Sequence, residues 1–234
     1  MRINKYIAQA GLCSRRKADE LIANGNVKIN GAVLKEPGYE VAAGDKVEVN
    51  GTQISAKQKT EYVLINKPTG MVTTVSDDKE RLTVMDVVAD IDARLFPVGR
   101  LDYNTSGALI MTNDGEMAYR LTHPKHEVYK TYRARVAGIL SNEKAARLRR
   151  GVDIGGFVTS PAKVNIIKGT QHSTIVEISI HEGKNRQVRK MFAAVGNPVQ
   201  ELERIAIGEI RLGHLKPGHY RKLTKDEIEY LKNC

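Results

Sequence analysis

The run Val98-Gly99-Arg100-Leu101-Asp102-Tyr103-Asn104-Thr105-Ser106-Gly107 places one carboxylate, Asp102, between an arginine and a cluster of turn-forming side chains. Apolar residues flank it, Leu95 to Val98 before and Ala108 to Met111 after. A carboxylate on a loop between two buried strands is readily presented to a ligand, but costly to bury without a partner. A neighbouring guanidinium would keep it ionised and able to act as a nucleophile or a base. The same composition also makes an ordinary solvated turn, because Asn, Thr, Ser and Gly favour turns for local reasons.

Cations are plentiful. Between residues 120 and 135, Arg120, Lys125, Lys130, Arg133 and Arg135 face one acid, Glu127. Between residues 181 and 190, Lys184, Arg186, Arg189 and Lys190 face Glu182. Over the whole chain, 37 Lys and Arg exceed 27 Asp and Glu, a net charge of +10. Such an excess favours a polyanion, and nucleic acid is the usual one. With no Trp and only three Phe, stacking on exposed aromatics cannot dominate, so structured RNA read by backbone and shape is the better fit.

Other chemistries find little support. His123 and His126 flank Pro124-Lys125 without a third ligand at metal spacing, which leaves them RNA-facing or structural. A glycine-rich loop ending in Lys-Ser or Lys-Thr is missing, which argues against a nucleotide hydrolase. Cys13 and Cys234 read as free thiols of a reducing cytoplasm. The first residues lack the apolar core of a signal peptide, and no apolar run approaches the roughly 18 residues of a membrane span. A cytoplasmic monomer that does not engage membranes is expected.

The elements that must position these groups fall into two domains. Residues 1–51 read as a small module. Ile3, Tyr6, Ile7 and Ala10 fall at helical spacing before Gly11, and Ser14 caps a second helix with Ala18, Leu21 and Ile22 on its buried face and Gly25 as its stop. Val27 and Ile29 alternate as a strand, Asn30-Gly31 signals a hairpin, and Val47 and Val49 form another strand. Arg15, Arg16 and Lys17 crowd the first turn of the second helix against its dipole, which is easier to understand if phosphates approach there.

Residues 52–60 are polar and aperiodic and read as a flexible linker. Residues 61–234 then mix strands (62–65, 71–75, 108–112, 129–136, 162–167, 174–180, 199–207) with helices (83–88, 114–122, 142–149, 185–195, 224–232). In the helix over 185–195, Val188, Met191, Phe192 and Val195 form the buried stripe. Strands outnumber helices and many should pair antiparallel, so the fold class is α+β.

Four segments, in order, carry a family resemblance: Lys67-Pro68-Thr69-Gly70; Gly99-Arg100-Leu101-Asp102 with Thr105-Ser106-Gly107; Lys130-Thr131-Tyr132; and residues 182–191, Glu-Gly-Lys-Asn-Arg-Gln-Val-Arg-Lys-Met. Together they resemble the motifs of the RsuA/RluB-type ribosomal RNA pseudouridine synthases. The N-terminal module resembles the alpha-L RNA-binding domain first known from small-subunit ribosomal protein S-four.

The resemblance implies a mixed, largely antiparallel sheet in the catalytic domain and isomerisation of uridine to pseudouridine, which needs no metal, cofactor or cosubstrate. It makes Asp102 the catalytic carboxylate, attacking C1′ or assisting sugar deprotonation. Arg189 becomes its basic partner, where the residue alone reads as a surface cation. Tyr132 becomes the active-site tyrosine, stacking on uracil and serving as a base, although a strand tyrosine is more commonly packing. Arg100 would fill the gap left by a flipped base. Lys67 is expected to shape the pocket wall and meet substrate there, a direct catalytic role being the weaker reading. Arg15, Arg16, Lys17, Lys28 and Asn30 are expected on RNA, as are Lys130 and Arg186. The substrate implied is ribosomal RNA, naked or within a partly assembled subunit, with 23S favoured over 16S. A non-catalytic ribosome-assembly factor is the alternative.

Overall fold

The computed structural model describes residues 1–56 and 58–234. The chain divides into two compact units, Met1–Glu61 with Asp92–Arg94, and Tyr62–Ile91 with Leu95–Cys234.

In the first unit, helices α1 (Ile3–Gln9) and α2 (Arg15–Ala23) pack on a sheet of β1 (Val27–Ile29), β2 (Ala32–Val33), β3 (Val47–Val49) and β4 (Thr52–Ile54), in the order β2-β1-β3-β4. Ile3, Ile7, Ala18, Ile22, Val27 and Val47 are fully buried between the layers. The Ser14 hydroxyl accepts from the Lys17 amide and so caps α2. At the β1–β2 turn Asn30 and Gly31 both have positive φ, 52° and 85°, the pairing a two-residue hairpin turn demands.

Residues 52–54 are not linker. Val47, Glu48 and Val49 pair antiparallel with Ile54, Gln53 and Thr52, so the polar sequence forms a hairpin edge, exposed at Thr52 and Gln53. Lys57, within the expected linker, lies outside the described residues.

The second unit runs β5 (Tyr62–Lys67), β6 (Phe96–Pro97), β7 (Ser106–Thr112), α3 (Gly115–Thr122), β8 (Lys130–Ala137), α4 (Asn142–Arg150), β9 (Lys163–Gly169), β10 (Ser173–Ile180), α5 (Gln187–Ala194), β11 (Val199–Ile207), β12 (Ile210–Arg211), β13 (Tyr220–Lys222) and α6 (Lys225–Lys232). Its sheet is ordered β13-β5-β7-β11-β8-β10-β9, with β6 and β12 paired on β7 and β11. Among the described residues, every pairing is antiparallel except β7 with β11.

That parallel join lies between two apolar clusters. One gathers Val136, Leu148, Val176, Ile178, Met191 and Phe192 beneath α4 and α5, and includes the stripe expected on α5. The other gathers Leu64, Ile110, Met117, Leu121 and Leu231 around α3 and α6.

Two expected elements are absent. Residues 71–75 form no strand: Val72 makes a single bridge to Thr83, and the Thr73 hydroxyl is spent on the Leu101 carbonyl. Residues 83–88 shrink to a short 3-10 turn at Asp86–Val88, because Asp86 takes the Thr83 amide and Thr83 takes the Met85 amide. In both places Thr and Asp side chains offer the backbone local partners that compete with regular structure.

Gly107 makes the parallel join possible. Its φ is +108°, and a Cβ there would lie 2.2 Å from the Arg204 carbonyl oxygen and 2.7 Å from the Arg204 nitrogen, both backbone. Gly107→Ala is therefore expected to destabilise the protein by about 3 kcal/mol through strain and overpacking. Urea denaturation would show this as a lowered midpoint.

Candidate active site

Asp102 sits on the loop between β6 and β7, at a cavity of about 350 Å³. The backbone of this loop is tied down one carbonyl at a time. The Leu101 oxygen accepts from Thr73 Oγ1 at 2.8 Å. The Asp102 oxygen accepts from Lys67 Nζ at 3.2 Å and the Tyr103 oxygen from the Gly70 amide at 2.8 Å. Asn104 accepts from Arg189 Nη2 at 2.7 Å and Thr105 from Lys67 Nζ at 2.9 Å. Five successive carbonyls are thus held by residues remote in sequence. The carboxylate itself is left half-exposed, facing the cavity.

Lys67 is the centre of this clamp. It is fully buried at the end of β5 and donates to the Pro68 oxygen as well, at 2.9 Å. A side chain with no exposed surface and three carbonyl partners cannot touch substrate, which corrects its expected place on RNA: it shapes the loop from beneath. Burial pulls its pKa down from 10.5 to about 8, while the Asp102 charge works in the opposite direction.

The two arginines of the third motif divide their work differently from expectation. Arg186 stands in the left-handed region at the N-cap of α5, φ 52°, and its Nη1 lies 3.9 Å from Asp102 Oδ2. Arg189, the expected partner, instead donates to the Asn104 oxygen and, at 3.4 Å, to Thr105 Oγ1 and the Val199 oxygen. It positions the loop, and its charge reaches Asp102 only through space. Burial pushes the Arg189 pKa down, as does the Arg186 charge. The nearly buried Gln187 accepts from the Lys184 amide and donates to Glu182, which braces the turn that carries Arg186.

Tyr132 and Lys130 lie two residues apart on β8, hence on one face, and both line the cavity. Lys130 Nζ makes one long bond, 3.4 Å to the His181 oxygen, and burial with the charge of Arg204 lowers its pKa to about 8. Arg100 is exposed at the cavity rim. The lining carries six cations (Arg100, Lys130, Lys184, Arg186, Arg189, Arg204) against two carboxylates, Asp102 and Glu182, a surface suited to an anionic ligand.

Arg204 is the residue that sequence reasoning missed. It is 4% exposed on β11, directly opposite Tyr132, with its guanidinium carbon 6.0 Å from the ring centroid. The signal was available: Leu202, Arg204 and Ala206 alternate on one face of the strand, so an arginine occupies the inward register.

In the first unit Arg15, Arg16, Lys17 and Lys28 are all exposed. Lys17 pairs with Glu20 at 2.8 Å, and Arg15 donates to Asn4 Oδ1 at 3.4 Å. Asn30 is otherwise engaged. Its amide nitrogen donates to Asp45 and its oxygen accepts from the Lys46 amide, both at 2.9 Å, so it closes the hairpin while remaining exposed.

Residues 61–194 match the family described as RNA pseudouridylate synthase, and residues 1–47 match the S4 domain. The chain is 44% identical over 233 residues to the ribosomal large subunit pseudouridine synthase B of Bacillus subtilis, covering 99% of this chain and 95% of the relative. It is 40% identical to an uncharacterized RNA pseudouridine synthase of Aquifex aeolicus, over 99% and 93% of the two chains. A crystal structure of a pseudouridylate synthase superposes with a TM-score of 0.70 at 32% identity, covering 99% of each chain.

Proposed function

The chain belongs to the RNA pseudouridylate synthase family and is an RNA pseudouridine synthase; from that premise we propose that it isomerises a specific uridine of ribosomal RNA, in the 23S molecule, through the Asp102 carboxylate. The observation that carries the site assignment is the clamp on residues 101–105. A loop with five pinned carbonyls offers its one carboxylate to a cation-lined cavity beside a tyrosine, which pre-organises a reacting group at no later cost.

The target base must leave the RNA stack to reach Asp102, at a cost of a few kcal/mol. Arg100, exposed at the rim, has the planar guanidinium that can stack in the vacated place and bind phosphate. Inside, Tyr132 stacks on the uracil. Asp102 then acts at the sugar, attacking C1′ or drawing off a sugar proton, with Arg186 nearest to keep it ionised. The N1–C1′ bond breaks, the base turns, and C5 joins C1′. Nothing in this sequence of steps consumes a cofactor. The 23S preference is supported by the resemblance to the ribosomal large subunit pseudouridine synthase B of Bacillus subtilis, and a cytoplasmic site of action goes with it. Among the described residues, no helix is long and apolar enough to cross a membrane.

Formation of the C5–C1′ bond expels the C5 hydrogen. Tritium release from 5-tritiated uridine in 23S rRNA therefore reads the reaction directly. Release from 16S rRNA alone would move the substrate to the small subunit, and release from neither would defeat the assignment.

The first unit is proposed to dock on the same RNA through the exposed start of α2. Replacing Arg15 and Arg16 with alanine should weaken binding about tenfold or more at moderate salt and lower the slope of log affinity against log salt by about 2. Filter binding across a salt series measures both.

A further inference from the structure

Four cations are set into the walls around the active site with no carboxylate partner within 4.0 Å among the described residues: Lys67, Lys130, Arg189 and Arg204. Burying an unpaired cation is costly, so each needs an explanation. Lys67 has one in its three carbonyl bonds, and Arg189 has one in its bonds to the Asn104 and Val199 oxygens and to Thr105 Oγ1, although its Nε has no partner. The other two do not. Arg204 gives its Nε hydrogen to the Ala108 oxygen at 2.7 Å, but its buried Nη2 has no partner at all. Lys130 holds only the long bond to His181. They flank Tyr132, Lys130 along the same strand and Arg204 across the β8–β11 pair. Their mutual repulsion is unrelieved until negative charge arrives between them.

We propose that Lys130 and Arg204 hold the negative charge of the detached uracil, over the Tyr132 ring. This rests on the isomerisation reading above and holds for both routes open to Asp102. If Asp102 attacks C1′, a carboxylate oxygen forms the C1′–O bond as N1–C1′ breaks. If Asp102 removes the C2′ proton, a C1′–C2′ double bond forms as N1–C1′ breaks. In either case the electron pair leaves on N1, and the base departs as an anion with charge spread over N1, O2 and O4. C5 then joins C1′: on the first route the C1′–O bond breaks and frees the Asp102 carboxylate, on the second the proton held by Asp102 returns to C2′, and in both C5 finally loses its own proton. Donors fixed in advance at those oxygens stabilise the charge as it develops. A backbone phosphate is the other anion available. Phosphates stay with the chain at the rim, beside the exposed Arg100 and Arg186, whereas Arg204 is almost wholly enclosed.

The test is single-turnover isomerisation by the full-length protein on two 23S rRNA transcripts, one with uridine and one with 5-fluorouridine, whose base is the more stable anion. Loss of the N-linked nucleoside is followed by chromatography after digestion. Arg204→Gln should slow uridine isomerisation about a hundredfold and 5-fluorouridine only about tenfold, with RNA affinity and its salt slope unchanged. Because Arg204 also braces the Ala108 carbonyl, Lys130→Gln serves as the second variant, with the same selective loss at smaller size. Equal slowing on both transcripts by both variants overturns the proposal. So does a fall in affinity with the salt slope lowered by about 1, which would assign the pair to phosphate. A native protein that releases no tritium overturns the isomerisation reading instead.

Discussion

Asp102→Asn is expected to lower tritium release by about 10⁴-fold or more, a loss typical of removing a reacting group, while RNA affinity stays within about twofold of native. The amide keeps the size and shape of the carboxylate but can neither attack carbon nor accept a proton at neutral pH. Little else should change, because the side chain carries almost no structural load. Its backbone oxygen, not its carboxylate, is what Lys67 holds. The ion contact to Arg186 spans 3.9 Å between two partly exposed groups, and pairs of that kind contribute at most about 1 kcal/mol. The cations proposed to bind phosphate, Arg100 and the start of α2, are untouched. Single-turnover tritium release together with filter binding decides the matter. A residual rate within tenfold of native would remove Asp102 from the chemistry, and a parallel collapse of binding would mean that the substitution had disturbed the loop.

What was legible in the sequence, and what was not, divides along the range of the interactions involved. The helices over α3, α4 and α6 could be placed because their signals are local: Asp114, Ser141 and Thr224 cap them within one residue of the starts expected from the sequence, and Thr224 with Glu227 completes a reciprocal box. Asp102 could be singled out because its motif is contiguous. The clamp on its loop could not, since it joins Lys67, Gly70, Thr73 and Arg189 to carbonyls as many as 85 residues away. A carbonyl has no residue-specific signature, so its need for a donor is invisible until the chain is folded. The same reasoning explains Lys67. Lysine heads normally reach water, and only the folded chain, which pairs Lys67 with Gly107 and sets its ammonium against the Pro68, Asp102 and Thr105 carbonyls, encloses this one. Arg189 was assigned by motif to the Asp102 side chain, but the helix register of α5 delivers it to the Asn104 backbone, while Arg186, one turn earlier, faces the carboxylate.

Lys67→Met should separate the energetics of that clamp from the chemistry it supports. Methionine fills nearly the same volume without a charge, so the cost of desolvating an ammonium disappears. Against this, the Pro68, Asp102 and Thr105 carbonyls lose their shared donor, the Asp102 oxygen keeping only the Thr105 amide, and unsatisfied buried acceptors cost about 1–3 kcal/mol each. The loss dominates, and we expect a net destabilisation of about 3 kcal/mol at pH 7. Activity should fall about a hundredfold, because displacing the reacting group by about 1 Å is enough to do so. The pH dependence gives a second, independent signature. Burial lowers the Lys67 pKa to about 8 from 10.5, so below pH 8 the folded and unfolded chains both hold the proton. Between about pH 8 and 10.5 the unfolded chain still binds it and the folded chain has released it, and stability therefore rises with pH through that window. The variant loses this contribution, whereas Lys130, lowered to about 8 in the same way, keeps its own. Native activity should move in the opposite sense, falling above pH 8 as Lys67 and Lys130 become neutral amines and Asp102 loses cationic support. Urea denaturation and tritium release measured side by side from pH 7 to 10.5 would show the two curves diverging in the native protein. An alkaline stability slope identical in native and variant would mean that Lys67 titrates at its ordinary value and that the clamp holds a fully charged ammonium throughout.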